Sequence, residues 1–212
     1  TRAGSYERSL ETKAGSVKLK VPKLRRQTFE TAIIERYQRR ESSVEEALID
    51  SGLSFTILQP AMFMQNIRLE WPGIRDRGVY LRPYSPDQRM ALIDTEDYGE
   101  AAARVLTEPG YRGAIFELAG PDQLTTAEMA AVIAEEWGKP VRAEKRSIED
   151  WKAWAKAQNW NPWSIEAYAK MCHHYDEHGY AGGNPLVLSA VLGRAPGGYR
   201  AFIKRFLAAQ KS

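Results

Sequence analysis

From Ser42 onward, short runs rich in β-branched and aromatic residues alternate with stretches of helical periodicity. That alternation confines the chain to an α/β fold. Ser42-Ser43-Val44-Glu45 fits a capping box, predicting a helix that runs to about Ser51 and stops at Gly52. Ser54-Phe-Thr-Ile-Leu-Gln59, ended by Pro60, reads as a buried strand, and Gln88 to Ile93 as a shorter one. Asp94 or Thr95 can cap a helix whose apolar stripe is Tyr98, Ala101, Ala102 and Val105. Ala114 to Leu118 reads as a strand closed by Gly120-Pro121. Thr125-Thr-Ala-Glu128 is a second capping box, with Met129, Val132, Ile133 and Trp137 as its stripe and Gly138 as its stop. Val141 to Lys145 is a further strand, and Ser147 opens another helix. The clearest stripe is the last one, Tyr199, Phe202, Ile203, Phe206 and Leu207, with Arg200, Lys204 and Arg205 expected to face water.

With 212 residues, 43% apolar and 27% charged, the chain can bury a core, and wholesale disorder is excluded. The longest apolar run, Phe55 to Met64, is broken by Gln59 and Pro60, so no membrane helix is expected. Cys172 is the sole cysteine, which points to a reducing, cytoplasmic setting. No secretory signal precedes the first structured segment, and an opening Thr1 in place of Met suggests a start further upstream.

The charge divides the chain. Residues 1–43 carry eleven basic and five acidic side chains, a net +6, and the remainder carries −3. The expected division is therefore a basic leader, 1–43, and an α/β region, 44–212. Within the leader, Val17, Leu19 and Val21 alternate with Lys18 and Lys20, a half-buried strand that Pro22 ends. Lysines on such a strand discourage edge-to-edge aggregation; they can also contact nucleic acid phosphates. Tyr6, Phe29 and Tyr37 are too few to make a base-stacking platform.

The order of landmarks in the second region resembles the NmrA-like family, atypical short-chain dehydrogenase/reductase proteins. The resemblance rests on Val44–Asn66, Ile93-Asp-Thr-Glu-Asp-Tyr-Gly-Glu100, Thr107-Glu-Pro109, Phe116-Glu-Leu-Ala-Gly-Pro121, His178-Gly179 and Gly183-Asn184-Pro185. It covers residues 44–209 and implies a Rossmann-like fold binding NAD or NADP. Only the C-terminal part of such a fold is expected here: a partial Rossmann-like sheet without its N-terminal strands, followed by a helical substrate-side region. The leader resembles a different family. Gly15–Arg26, Phe29 and Tyr37–Ile49 are similar to an internal segment of mutator-type (IS256-like) transposases. A chimera is the resulting expectation, with a transposase fragment joined to a reductase-like C-terminal part near Val44–Ile49.

Rossmann proteins grip the dinucleotide pyrophosphate with a glycine-rich turn after the first strand. The family spacing, G-x-x-G-x-x-G, follows no predicted strand in these 212 residues. Tyr37 and Glu41 stand at the spacing of the Tyr-x-x-x-Lys pair of ordinary relatives, but a carboxylate in the lysine's place would raise the phenol pKa, so no catalytic residue is assigned. By the resemblance, Gln59, Pro60, Ala61, Met62 and Phe63 lie beside the nicotinamide and Asn66 faces the substrate. The alternative is that Met62, Phe63 and Met64 simply pack the core. His174 and His178, four apart, have a metal-compatible spacing without the zincin glutamate, and solvent-facing histidines before a glycine stop are the simpler reading. Trp151, Trp154, Trp160 and Trp163 read as packing groups, and Cys172 as a buried helix residue.

These observations predict a remnant of an NmrA-like oxidoreductase or redox-sensing regulator without efficient catalysis. The alternative is a transposase-derived DNA-binding protein acting through the leader. A sheet without its first strands leaves strand 54–59 with an open edge, which a second copy or the Val17–Val21 strand would cover; a homodimer is thus the expected partner.

Overall fold

The computed structural model describes residues 5–12, 15–22, 47–180 and 182–210, the first two segments by their backbone alone. The chain divides into two compact units, Thr1–Ala47 and Leu48–Ser212.

In the first unit, β1 (Ser5–Thr12) and β2 (Gly15–Pro22) pair antiparallel, Tyr6 opposite Val21 and Leu10 opposite Val17. The alternating Val17–Val21 segment is thus a strand, as expected. Tyr37, Glu41 and the Ser42–Glu45 capping box lie outside the described residues.

In the second unit, residues 47–50 are helical and Gly52 follows with φ +68°. The strand expected at 54–59 forms later, as β3 (Ile57–Pro60), and its residues are half-buried. The cause is pairing: Ser54 and Phe55 precede the ladder, and Thr56 spends its hydroxyl on the Tyr111 carbonyl at 2.7 Å. β3 runs parallel to β7 (Ile115–Leu118). Past Ala61 the chain bends into β4 (Met62–Phe63), a single turn of 3-10 helix, Met64–Asn66, and α1 (Ile67–Arg77). β4 pairs parallel with β6 (Arg89–Ile93), which pairs antiparallel with β8 (Gln123–Thr125). β5 (Val79–Arg82) and β9 (Arg142–Lys145) make a third parallel pair. Parallel pairs joined through helices are the mark of an α/β fold.

Local chemistry fixes the helices. α2 (Thr95–Thr107) is capped by Asp94, whose carboxylate accepts from the Glu96 amide. α3 (Thr126–Trp137) has a complete capping box between Thr125 and Glu128 and ends at Gly138 in the left-handed conformation. Ser147 caps α4 (Ile148–Ala157), and Asn161 caps α5 (Pro162–His178). α6 (Pro185–Leu192) starts on Asn184-Pro185, and α7 (Tyr199–Ala209) closes the unit. Every stripe residue of α7 is buried. Its cations are exposed, as expected, but Arg200 and Arg205 also hold acids on other elements. Arg200 pairs with Glu135 and Glu136, and the Arg205 guanidinium reaches the carboxylate of Asp94, which is only 2% exposed. A buried carboxylate needs such a partner, and helical periodicity says nothing of partners on another element.

The largest apolar cluster joins α1, α3 and α7 through Ile67, Trp71, Ile74, Met129, Ile133, Phe202 and Phe206. A second gathers Ala61, Ile93, Ala101, Leu118 and Leu188 around the bend between β3 and β4. In a third, Trp151 stacks on Tyr168 at 4.4 Å and meets Trp160 edge-on, while Trp163 is exposed. Three of the four tryptophans therefore pack together, and Trp163 lies at the surface.

Two glycines let backbones touch. A Cβ on Gly120 would lie 2.8 Å from the Leu92 carbonyl oxygen, which accepts from the Gly120 amide. Gly179, at φ +66°, would meet the Arg89 oxygen at 2.7 Å, and it leads Tyr180 onto the edge of β6, where the Ala91 amide donates to the Tyr180 carbonyl. No helix among the described residues is long and apolar enough to cross a membrane.

Candidate functional site

The carboxyl ends of parallel strands are where α/β sheets open crevices for ligands. β3 and β7 end together, Pro60 opposite Leu118, and β4 and β6 end together, Phe63 opposite Ile93. The six residues singled out from the sequence all lie on this one stretch. Gln59 stands opposite Glu117 and is half-buried, as is Pro60. The Ala61 amide donates to the Leu118 carbonyl at 2.8 Å, so the bend stays tied to β7. Met62 turns toward the larger apolar cluster, where the Tyr84 hydroxyl donates to its sulfur at 3.6 Å. Phe63 turns the other way, edge-on to Tyr98 at 5.5 Å. Asn66 opens α1 without using its side chain as a cap, and that side chain is half-buried.

Beyond β4 and β6 lies a polar junction that sequence reasoning missed. Gln65 bridges it: its amide nitrogen donates to Asp94 at 2.6 Å, and its oxygen accepts from the Thr95 amide at 3.1 Å. Asp94 also holds Arg205, which lies 3.4 Å from Glu96. A cleft of about 440 Å³ opens here between α1, the first turn of α2 and α7. Its lining begins at Gln65 and includes none of the six expected residues. The only sequence signal for it was the Asp94 cap.

A buried cluster sits behind Met62. Arg82 is 4% exposed and donates to the Tyr80 hydroxyl at 2.8 Å, while its Nε has no partner. Burial pushes the Tyr84 hydroxyl up to about 12, against the pull of Arg82. The Cys172 thiol is raised by burial to about 12 as well. Glu70 is raised above the usual carboxylate range by burial, against the pull of Arg82, Arg146 and Arg77. A thiol and phenols raised in this way are poor nucleophiles and bases at neutral pH.

The histidines of α5 are a surface feature. His173 and His178 lie 3.4 and 3.6 Å from Glu177, and His174 packs against His178 just before the Gly179 stop. Among the described residues, no three His, Cys, Asp or Glu side chains come together as a metal site.

Residues 1–55 match the family model described as "Transposase, Mutator family". Residues along a quarter of the chain are 40% identical, over 53 positions, to the transposase for insertion sequence element IS256 in transposon Tn4001 of Staphylococcus aureus, 14% of that protein. The rest matches reductases. The (4-alkanoyl-5-oxo-2,5-dihydrofuran-3-yl)methyl phosphate reductase of Streptomyces griseus is 35% identical over 112 residues, 52% of this chain and 39% of that protein. The crystal structure of the NADPH-dependent quinone oxidoreductase QOR2 of Escherichia coli, complexed with NADPH, superposes with a TM-score of 0.68 at 25% identity, over 80% of this chain and 59% of that one. The chain joins a transposase-like segment to a reductase-like unit.

The reductase-like unit thus has the NAD(P)-binding type of α/β fold that the NmrA-like resemblance implied. The chain spans about two fifths of the length of the curated reductase it matches. As for a dinucleotide, the end of β3 is half-buried and strand-borne, and the 212 residues contain no glycine turn spaced to cradle a pyrophosphate. The residues present therefore do not fit the pyrophosphate of the coenzyme.

Proposed function

We propose that the reductase-like unit is the substrate-side portion of an NAD(P)H-dependent reductase acting on quinone-like acceptors. Gln59, Pro60, Ala61, Met62 and Phe63 would line the nicotinamide end, and Asn66 would face the acceptor. The observation that carries this reading is the 0.68 TM-score, at 25% identity, to an NADPH-complexed quinone oxidoreductase. The chain's own contribution is positional. Ala61, tied to β7, sets the height of the strand end, while Met62 and Phe63, anchored in opposite clusters, hold that end rigid.

The 212-residue chain is not an efficient oxidoreductase in this reading, because pyrophosphate binding supplies much of a dinucleotide's grip. Fluorescence titration with NADPH and NADH tests that part, and saturable binding in the low micromolar range overturns it. The reductase assignment has its own test. Placing the N-terminal part of the Escherichia coli quinone oxidoreductase, which these residues do not match, ahead of residues 48–210 should yield NADPH-dependent quinone reduction that Asn66→Ala lowers. A folded fusion with no turnover removes the assignment.

Two further readings rest on particular features. The match of residues 1–55 to mutator transposases and the net +6 of residues 1–43 favour DNA binding by the leader. Its affinity should fall steeply with salt, and a flat salt response excludes it. Among the described residues β3 has a ladder partner on one side only, which favours a homodimer joined across that edge. Sedimentation velocity showing only monomer at high concentration would exclude the dimer.

A further inference from the structure

The cleft between α1, α2 and α7 combines three features that point to a ligand. The first is an aromatic floor. Trp71, Phe202 and Phe206 line it, with Trp71 edge-on to Phe206 at 5.1 Å and Phe202 near-parallel to Phe206 at 6.0 Å. Each is under a tenth exposed, so the core holds the rings fixed and only a small part of each reaches the cleft. Flat, preformed apolar walls favour a rigid ring system over a flexible chain, whose ordering would cost more.

The second feature is charge. Two arginines stand on the rim, and they are not equivalent. Arg205 is committed to Asp94 and lies 3.4 Å from Glu96. Arg68, one helical turn before Trp71 on α1, is exposed and makes no ion pair among the described residues. Arg205 and Arg68 are balanced overall by Asp94 and Glu96, so the cleft does not attract a dianion. It does offer Arg68, uncommitted among the described residues, whose planar fork suits a single carboxylate.

The third feature is rigidity at the mouth. Both polar atoms of Gln65 are spent on Asp94 and Thr95, which leaves it a wall and not a competitor for the ligand. The volume, about 440 Å³, lies within the range of small-molecule sites.

We infer that this cleft binds a planar aromatic monocarboxylate, its ring against Trp71, Phe202 and Phe206 and its carboxylate on Arg68. The inference does not rest on the proposed reductase role, since it invokes neither coenzyme nor turnover. The ring buries apolar surface against walls already in place, and the carboxylate stays at the wet rim beside a cation. Neutral analogues keep the first interaction and lose the second.

The test is titration of the 212-residue chain with 2-naphthoate, followed by calorimetry and by tryptophan fluorescence, with no coenzyme present. Saturable binding is expected, weakened about tenfold by Arg68→Gln and by raised salt. The neutral 2-naphthamide should bind more weakly than naphthoate and be indifferent to Arg68→Gln. Trp71→Phe should keep the heat of binding while removing most of the fluorescence change. Arg68 is exposed, so its replacement leaves the fold intact, which circular dichroism checks. Absence of saturable binding at millimolar naphthoate overturns the inference, as does binding that ignores Arg68→Gln or a fluorescence change that survives Trp71→Phe.

Discussion

The carboxylate of Asp97, on α2, accepts from the backbone amide of Gly197 at 2.6 Å, a hundred residues later in the chain. Its other oxygen takes the Arg194 guanidinium at 2.7 Å, and the side chain is 6% exposed. One acid thus fastens the entry of α7 to the start of α2. Asp97→Ala leaves the half-buried Gly197 amide without its acceptor, while Arg194 keeps Glu100, and should cost about 1–3 kcal/mol. Arg194→Ala, which removes only the more exposed partner, should cost less than Asp97→Ala. Urea denaturation of both variants checks the order.

Arg82 presents the opposite case. Its guanidinium is buried, its hydrogen-bond partner is a phenol and not a carboxylate, and its Nε is unpaired. Its burial is a cost to the fold, set against the Tyr80 ring face at 5.0 Å and the charge of Glu70. Arg82→Leu should therefore leave stability unchanged or raise it, by up to about 2 kcal/mol. A large loss of stability in thermal melts would show that the charge is compensated in some other way.

Two glutamates give pH dependences of opposite sign. Glu128 is held below the usual carboxylate range, first by the Thr125 amide and also by Arg89, against the effect of burial. A carboxylate depressed in the folded state contributes stability above its unfolded pKa, about 4.3, that is lost as pH falls through its folded value. Glu128→Gln should thus be less stable than the parent at pH 7, and the gap should close in acid. Glu70 is raised, chiefly by burial, so its ionisation opposes folding once pH exceeds about 4.3. Glu70→Gln should be more stable than the parent at pH 7 and equal to it below pH 4. Chemical denaturation at stepped pH reads both gaps.

The thiol of Cys172 is fully buried and raised to about 12 by that burial. At pH 8 almost none of it is thiolate, and reagent cannot reach it. Native protein should react with Ellman's reagent only at the rate of unfolding, and one equivalent should react at once in denaturant. Fast labelling of the folded chain would contradict the packing of α5 described here.

The elements read correctly from the sequence are those whose determinants are local. Thr125 and Glu128 lie within one turn of each other, and so do Asp94 and the helix it caps, so no tertiary knowledge was needed. α1 was not foreseen because Pro72 stands inside it and reads as a breaker; the helix tolerates it because Ile67, Trp71 and Ile74 bury one face in the core. β5 was hard for another reason: it is four residues long and ends on a charge, whereas β9 was legible at Val141–Lys145, and their pairing, Val79 with Arg142, spans a separation no periodicity reveals. The same holds for the cleft. Arg205 looked like a solvated cation on a helix face, and only the folded chain brings it to Asp94. Gln59 to Phe63 and Asn66, by contrast, were located by resemblance, and the structure sets them on one strand end without itself assigning their role.

The bend at Ala61 has a consequence for how this protein can change over generations. Because residues 57–63 serve two ladders at once, with β7 before the bend and β6 after it, adding or deleting one residue there would throw both pairings out of step together. Such a stretch can vary by replacement but not by length, while the turns elsewhere on the unit remain free to grow.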